Sequence, residues 1–380
     1  MADMKMINQM NQYIESQNGE ALGLLKELGK IPAPSYHEEK RAEFCMNWLK
    51  EQGAKKVWID EAKNVICEID CDQSEDIVVF MAHTDIVFPD EETLPLRQDG
   101  NKLYAPGIGD DTANLVHLLM AAKYILTHQI AMKKKVLIVA NSCEEGLGNL
   151  EGCKAIFKKF GDRISEFFSF DGYLSQCTSV PVGSYRYKIT VKGEGGHSYL
   201  DFGNENAIST MAAVIVALDQ IELPSEDKTT FNVGVIQGGS TVNSIPQDAS
   251  LLYEYRSPSQ RCLMEMERKF NEVITSFKDV GKAVSVEILG IRPGRGQLDE
   301  EKFKVWTEAN IAIIKKYYDG EMDVRPYSTD ANIPLSMGIY ANTIGTVVGG
   351  DAHKREEWID IKSIPTGMSI VLDIVMKYAK

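Results

Sequence analysis

Two histidines and three acidic residues fall at one kind of place in this chain, and a fourth acid lies in a glycine-flanked turn. His83 follows the apolar run 77–82, Glu144 and Glu145 follow 136–140, Asp171 follows 167–170 and His353 follows 344–348. Asp110 stands in the glycine-flanked stretch Gly107-Ile108-Gly109-Asp110-Asp111. Neutral imidazole and carboxylate together suit zinc, cobalt or manganese. One catalytic ion takes about three protein ligands and keeps a position open. Six candidates therefore suit two ions sharing a bridging carboxylate. Asp110 is the natural bridge, because its glycine neighbours allow the backbone a close approach. Glu144 and Glu145 are adjacent, so their side chains diverge; one can bind metal while the other serves as general base. Asp85, two residues after His83, can take the second ring proton and fix the tautomer. Each residue also has a plain structural reading. Asp110-Asp111 could cap a helix, Glu144-Glu145 could be solvated charge, and Asp171-Gly172 is an ordinary turn dipeptide. Those readings leave unexplained why five of the six sit at strand ends. His37, His117 and His128 lack such a setting and read as structural.

The positioning elements follow from periodicity. Short β-branched runs alternate with helical segments, which indicates an α/β sheet with ligands outside the carboxyl ends of its strands. Residues 6–29 read as helical with a break near Asn18-Gly19. Ser35 and Glu38 read as a capping box opening a helix that runs to about Gln52. Residues 57–59 and 65–69 read as strands, 89–100 as an acidic loop, 151–160 and 299–318 as helices, and 328–332 as a polar loop. A final helix starts near Ser363. The character changes after Pro181. Strands at 185–192, 231–236, 249–256 and 283–289, with helices at 206–221 and 259–277, give a β-α-β-β-α-β order, the ferredoxin-like split βαβ arrangement. The expected organisation is thus a discontinuous domain, 1–183 and 291–380, interrupted by an insert at 184–290.

Composition narrows the function. The 380 residues suffice for two domains, and 44% apolar with 25% charged residues is an ordinary globular balance. A net charge of −14 argues against a nucleic-acid partner. The seven cysteines are scattered without a Cys-x-x-Cys pair, as in a reducing compartment. Residues 1–18 lack the apolar core of a signal peptide, and no run approaches a membrane span. The expectation is a cytoplasmic protein with no membrane partner.

Six stretches together resemble the M20 family of dinuclear zinc peptidases and amidohydrolases. They are Ala82-His83-Thr84-Asp85, Gly107-Ile108-Gly109-Asp110-Asp111, Cys143-Glu144-Glu145-Gly146, Phe170-Asp171-Gly172, Gly195-Gly196-His197-Ser198 and Gly349-Gly350-Asp351-Ala352-His353. The resemblance implies an α/β catalytic domain with a mixed sheet, interrupted by a ferredoxin-like lid or dimerisation domain. It implies that His83 and Asp171 bind one zinc, Glu145 and His353 the other, and that Asp110 bridges them. Asp85 would orient His83, and Glu144 would be the general base. His197 would stabilise the oxyanion, in its own subunit or across a homodimer. Asn243 and Arg256 would hold the substrate's terminal carboxylate. The Asp110–Asp111 peptide would be cis. Thr112 stands where many relatives have lysine, and the 197–203 segment lacks their proline. Glu357 matches a family acid of open role.

The expected function is a metal-dependent exopeptidase cleaving a di- or tripeptide, of the tripeptide-aminopeptidase-like kind. The alternative within the family is an amidohydrolase acting on an N-acyl amino acid. A non-catalytic binding protein on the same fold is the rival from another class, and the intact Glu144 speaks against it.

Overall fold

A computed structural model of the chain describes residues 2–71 and 74–380, with side chains from residue 6 onward. The chain divides into two compact units, residues 1–180 with 297–380, and residues 181–296.

The first unit begins with α1 (Ala2–Leu28) and α2 (Glu39–Glu51), then β1 (Val57–Ile59), β2 (Val65–Ile69) and β3 (Ile77–His83). Two short strands, β4 (Arg97–Asp99) and β5 (Lys102–Tyr104), precede α3 (Asn114–His128). Then come β6 (Lys135–Asn141), α4 (Glu151–Phe160), β7 (Ile164–Phe170) and β8 (Cys177–Thr178). The second unit holds β9 (Gly183–Lys192), β10 (Gly196–His197), α5 (Ala207–Asp219), β11 (Thr230–Gly238), β12 (Ser244–Ile245), β13 (Asp248–Ser257), α6 (Gln260–Asp279) and β14 (Ala283–Arg292). The chain returns to the first unit with α7 (Glu300–Ile314), α8 (Asn332–Ser336), β15 (Tyr340–Ile344), β16 (Gly349–Gly350), β17 (Trp358–Asp360) and α9 (Ile364–Met376).

The main sheet runs β1-β2-β6-β3-β7-β15-β8. Its centre, β6-β3-β7-β15, is parallel, with antiparallel strands on either side. All seven residues of β3 are buried because helices cover both faces. Val78, Phe80 and Ala82 join the core that contains α1, α3 and α9, while Ile77, Val79 and Met81 join the core that contains α4 and α8. Register aligns the strand ends. His83 pairs with Asn141, and Ile344 with Phe170. The turns after β3, β6 and β7 therefore leave the sheet from one rim.

The second unit is a four-stranded antiparallel sheet, β11-β13-β9-β14. Helices α5 and α6 supply one core with alternate residues of its strands, among them Ile189, Leu251, Met211 and Phe270. This is the ferredoxin-like strand order.

Four local expectations are corrected. Helix α1 passes through Asn18-Gly19 unbroken, because Tyr13 and Ile14 before it and Leu24, Leu25 and Leu28 after it bury into one core. That burial outweighs the ~1 kcal/mol cost of one helical glycine. The capping box does not form: the Ser35 hydroxyl donates to Asp85, and Glu38, at the cap position, makes no cap hydrogen bond. The strand placed at 344–348 is instead Tyr340–Ile344. Asn342 and Thr343 hid it, yet both are buried and hydrogen-bonded, to Asn310 and to Thr329. His353 therefore follows β16 of a small separate sheet rather than the main one. The polar loop placed at 328–332 ends at Ala331, since α8 begins at Asn332, and Thr329, Asp330, Ala331 and Asn332 are buried. No helix among the described residues is long and apolar enough to cross a membrane.

Candidate dinuclear metal centre

Strand β3 ends on His83, whose ring is buried. Its Nδ1 lies 3.0 Å from the Asp85 carbonyl oxygen and 3.4 Å from Asp85 Oδ1. Both neighbours are acceptors, so Nδ1 carries a ring proton, and Nε2, which faces Asp110, is the atom that could serve a metal once its own proton is lost. Asp85 thus contacts the His83 ring more closely through its backbone than through its carboxylate. That carboxylate does further work: Oδ1 accepts the Glu144 N–H at 3.0 Å and Oδ2 the Glu145 N–H at 2.9 Å.

Asp110 lies at a kink in the turn Ile108–Ala113, where its own and Asp111's backbone angles are non-helical, and its peptide bond to Asp111 is cis. Its two carboxylate oxygens face different imidazoles. Oδ1 is 3.0 Å from His83 Nε2, and Oδ2 is 3.3 Å from His353 Nε2. His353 Nε2 also lies 3.2 Å from Glu145 Oε1. Ligand atoms of His83, Asp110 and Glu145 fall within 4.8 Å of one another, as do those of His83, Asp111 and Asp171. Asp111 is spoken for, because Oδ2 accepts the His83 N–H at 2.9 Å and Oδ1 the Asn114 amide at 2.7 Å. The turn after β7 is pinned where the Asp171 N–H donates to the Ile344 carbonyl.

The electrostatics call for added positive charge. Burial, then Asp110, pushes the Asp171 carboxyl well up, and the same two causes raise Glu145 to about 7. Burial pushes Asp111 well up too, with Asp171 and Asp110 adding to it. Hydrogen bonds to Asp110 and Glu145 raise His353 to about 11. Burial opposes a charged His83, but Asp111, Asp110 and Asp85 still hold it well above the imidazole range. Burial would also raise Asp110, yet His353 and His83 hold it well below the usual carboxylate range. A site with more carboxylate than its own cations neutralise, and with two imidazoles and three acids converging, fits divalent ions.

The glycines near Asp110 make room for protein rather than for ions. Glu357 is buried and accepts three N–H groups of this turn: Gly107 at 3.0 Å, Gly109 at 2.7 Å and Asp110 at 2.7 Å. A Cβ on Gly109 would come within 2.8 Å of the Tyr173 ring and 3.1 Å of Glu357 Oε1. The acid of open role is thus an anchor for the turn carrying Asp110. Burial, then Asp110, raises its carboxyl to about 8.

Sequence reasoning passed over Asp330, read as part of a loop. It is fully buried, with Asn141 Nδ2 donating to Oδ2 at 2.6 Å and no hydrogen-bond partner for Oδ1 among the described residues. Burial, then the Glu144 charge, raises it to about 8. Between its ordinary value near 3.8 and about 8, the folded chain holds a proton that the unfolded chain releases. This group's contribution to stability therefore falls as pH rises through that window. Melting temperature measured from pH 5 to 9 should fall less steeply in Asp330→Asn than in the parent; equal slopes would contradict the assignment.

The remaining candidates lie in the second unit. His197 is exposed on β10, and its Nδ1 accepts the N–H groups of Tyr199 at 3.2 Å and Leu200 at 3.4 Å. Asn243 is exposed, and its carbonyl accepts the Ser198 N–H, so it neighbours the His197 turn. The Arg256 guanidinium is engaged by Glu254, at 2.9 Å through Nε and 3.0 Å through Nη2. Of the other histidines, His117 is buried with Nδ1 2.7 Å from Thr346 Oγ1, and burial pushes it down to about 3.

Comparison with known proteins places the chain among relatives. The Bacillus subtilis uncharacterized protein YqjE is 24% identical over 348 residues, 87% of this chain and 89% of its own length. The N-acetyldiaminopimelate deacetylase of the same species is 22% identical over 78% of this chain and 82% of its own. Among solved structures, a tripeptidase (SAV1512) from Staphylococcus aureus has the same fold, with a TM-score of 0.73 at 21% identity, covering 95% of this chain and 99% of that one. The profile of Peptidase family M20/M25/M40 matches residues 79–377, which span all six strand-end and turn residues first singled out. The chain belongs to that peptidase family and is a hydrolase acting on peptide or amide bonds.

Proposed function

We propose that this enzyme is an exopeptidase cleaving a di- or tripeptide with two divalent ions, zinc foremost. The observation that carries the reading is Asp110, whose two oxygens each reach one imidazole, with Glu145 beside the second. His83 and Asp171 would hold one ion, Glu145 and His353 the other, and Asp110 both. The bound ions supply carbonyl polarisation and an acidified water. Glu144 takes the proton of the attacking water and returns it to the leaving amine. Its backbone and that of Glu145 are both held by the Asp85 carboxylate. In His197, backbone donors on Nδ1 leave Nε2–H free to donate, which supports a role at the oxyanion. Asn243 and Arg256 would hold the substrate's terminal carboxylate. For Arg256, that carboxylate must compete with Glu254.

The second reading is an N-acyl amino acid deacylase, supported by the likeness to N-acetyldiaminopimelate deacetylase. A panel of di- and tripeptides beside N-acetyl and N-succinyl amino acids separates the two. The peptidase reading expects kcat/KM higher for a peptide by about tenfold or more, ~1.4 kcal/mol of transition-state discrimination. The reverse order would assign the deacylase. No turnover on any member, with two ions bound, would leave a binding protein.

We also propose a homodimer through the second unit. Strand β11 is a sheet edge with Val235 and Ile236 exposed, and α5 exposes Ile208 and Val216. Such an edge invites pairing with a second copy. Sedimentation showing a monomer would remove this proposal. Seven free cysteines support a reducing, cytoplasmic setting.

A further inference from the structure

The short segment from Ser35 to Arg41 touches three of the turns that carry the proposed ligands, although none of its residues belongs to either metal-ligand cluster. The Ser35 hydroxyl donates to Asp85 Oδ2 at 2.7 Å. Glu38 is fully buried, and its Oε1 accepts the Cys143 N–H at 3.0 Å and the Tyr36 N–H at 2.9 Å. The consecutive N–H groups of Cys143, Glu144 and Glu145 therefore all end on buried carboxylates, the first on Glu38 and the others on Asp85. Cys143 has a left-handed backbone with φ of 56°, a conformation that an L residue with a side chain rarely adopts unless held.

Arg41 is fully buried as well. Its Nη1 donates to the Thr84 carbonyl at 2.9 Å and to Thr112 Oγ1 at 3.1 Å, while Nε donates to the Ile31 carbonyl at 2.9 Å. Thr84 lies between His83 and Asp85, and Thr112 follows the Asp110-Asp111 pair. One guanidinium thus ties the strand-end turn of the first imidazole to the turn of the bridging acid. Burying a guanidinium costs several kcal/mol unless charge and hydrogen bonds compensate. Here two of its three hydrogen bonds go to the ligand turns, and the third goes to Ile31.

We propose that Glu38 and Arg41 are positioning residues of the metal centre. Together they fix the turns after β3 and β6 and the turn of Asp110 through the protein alone, so the ligand atoms converge before an ion arrives. They set metal affinity and turnover rather than substrate binding. This rests on the reading that the cluster holds metal, which Zn(II) binding to the parent enzyme tests separately.

The experiment compares the parent with Glu38→Ala, Glu38→Gln and Arg41→Lys. It measures Zn(II) affinity by competition with a chromophoric chelator, the visible spectrum of the Co(II)-loaded protein, and kcat and KM. Glutamine keeps an acceptor oxygen for the Cys143 N–H, whereas alanine removes it. Lysine keeps the charge of Arg41 but cannot span its three acceptors. Glu38→Ala and Arg41→Lys should weaken Zn(II) binding ~10–100-fold and alter the Co(II) spectrum, with kcat falling and KM little changed. Glu38→Gln should recover most of the loss. If Glu38→Ala does not fold, Glu38→Asp, which keeps the charge but shortens the reach, takes its place. Parent-like affinity and spectrum in Glu38→Ala and Arg41→Lys, even with lowered melting temperature, would overturn the inference and leave a purely structural role. Absence of Zn(II) binding by the parent would overturn the metal reading instead.

Discussion

Glu144→Gln should keep both metal ions and lose hydrolysis by about 10²–10⁴-fold, the usual contribution of a positioned general base. The substitution preserves size and changes only the ability to accept and return a proton. The backbone of Glu144 is held from outside its side chain by Asp85, so the neighbouring ligand Glu145 should not move. Elemental analysis of the purified variant should match the parent, and KM should change little. Full turnover with both ions present would take Glu144 out of the base role. Loss of an ion would show instead that Glu144 is itself a ligand.

The second large effect is expected at the bridge. Asp110→Asn removes a carboxylate that reaches both imidazoles. Bound metal should fall to one ion or none, and activity should fall with it. Stability supplies an independent reading. In the parent, ions bound at about a thousand times their dissociation constant add ~4 kcal/mol. Bound ions would also offset the burial, and then the neighbouring acids, that push Asp171, Asp111 and Glu145 upward. Adding a chelator should therefore lower the parent's melting temperature by several degrees and the variant's by much less. Two tightly bound ions in Asp110→Asn would rule out the bridge.

Much of the site was legible because its residues follow strongly patterned strands. The runs ending at His83, Asn141 and Phe170 are apolar and buried on both faces, so their periodicity pointed to a central sheet and to its rim. Strand β15 was misplaced because burial there is satisfied by hydrogen bonds, Asn342 to Asn310 and Thr343 to Thr329, which hydrophobic pattern cannot register. Glu38 looked like a helix cap because its spacing from Ser35 suits one; only the fold reveals that its partner is Cys143, far along the chain. Asp111 and Asp330 look like many surface acids until burial is known. Glu357 was noticed, but its three backbone donors come from a turn as much as 250 residues earlier. In each case the missing information was a long-range polar contact, which leaves no local period.

The parallel pairing of β7 with β15 imposes an order of assembly during synthesis. Strand β7 leaves the ribosome before the second unit, and β15 only after it. At ~5–20 residues per second, translating the intervening unit takes on the order of ten seconds. Throughout that interval β7 has an unpaired edge, and the Asp171 N–H lacks the Ile344 carbonyl that pins its turn. The second unit is continuous in sequence and can complete its own sheet meanwhile. The metal centre waits for His353 and Glu357, which arrive later still. The nascent chain therefore passes through a stage with a finished insert and an open, aggregation-prone sheet, and during this stage chaperones would have the most to protect.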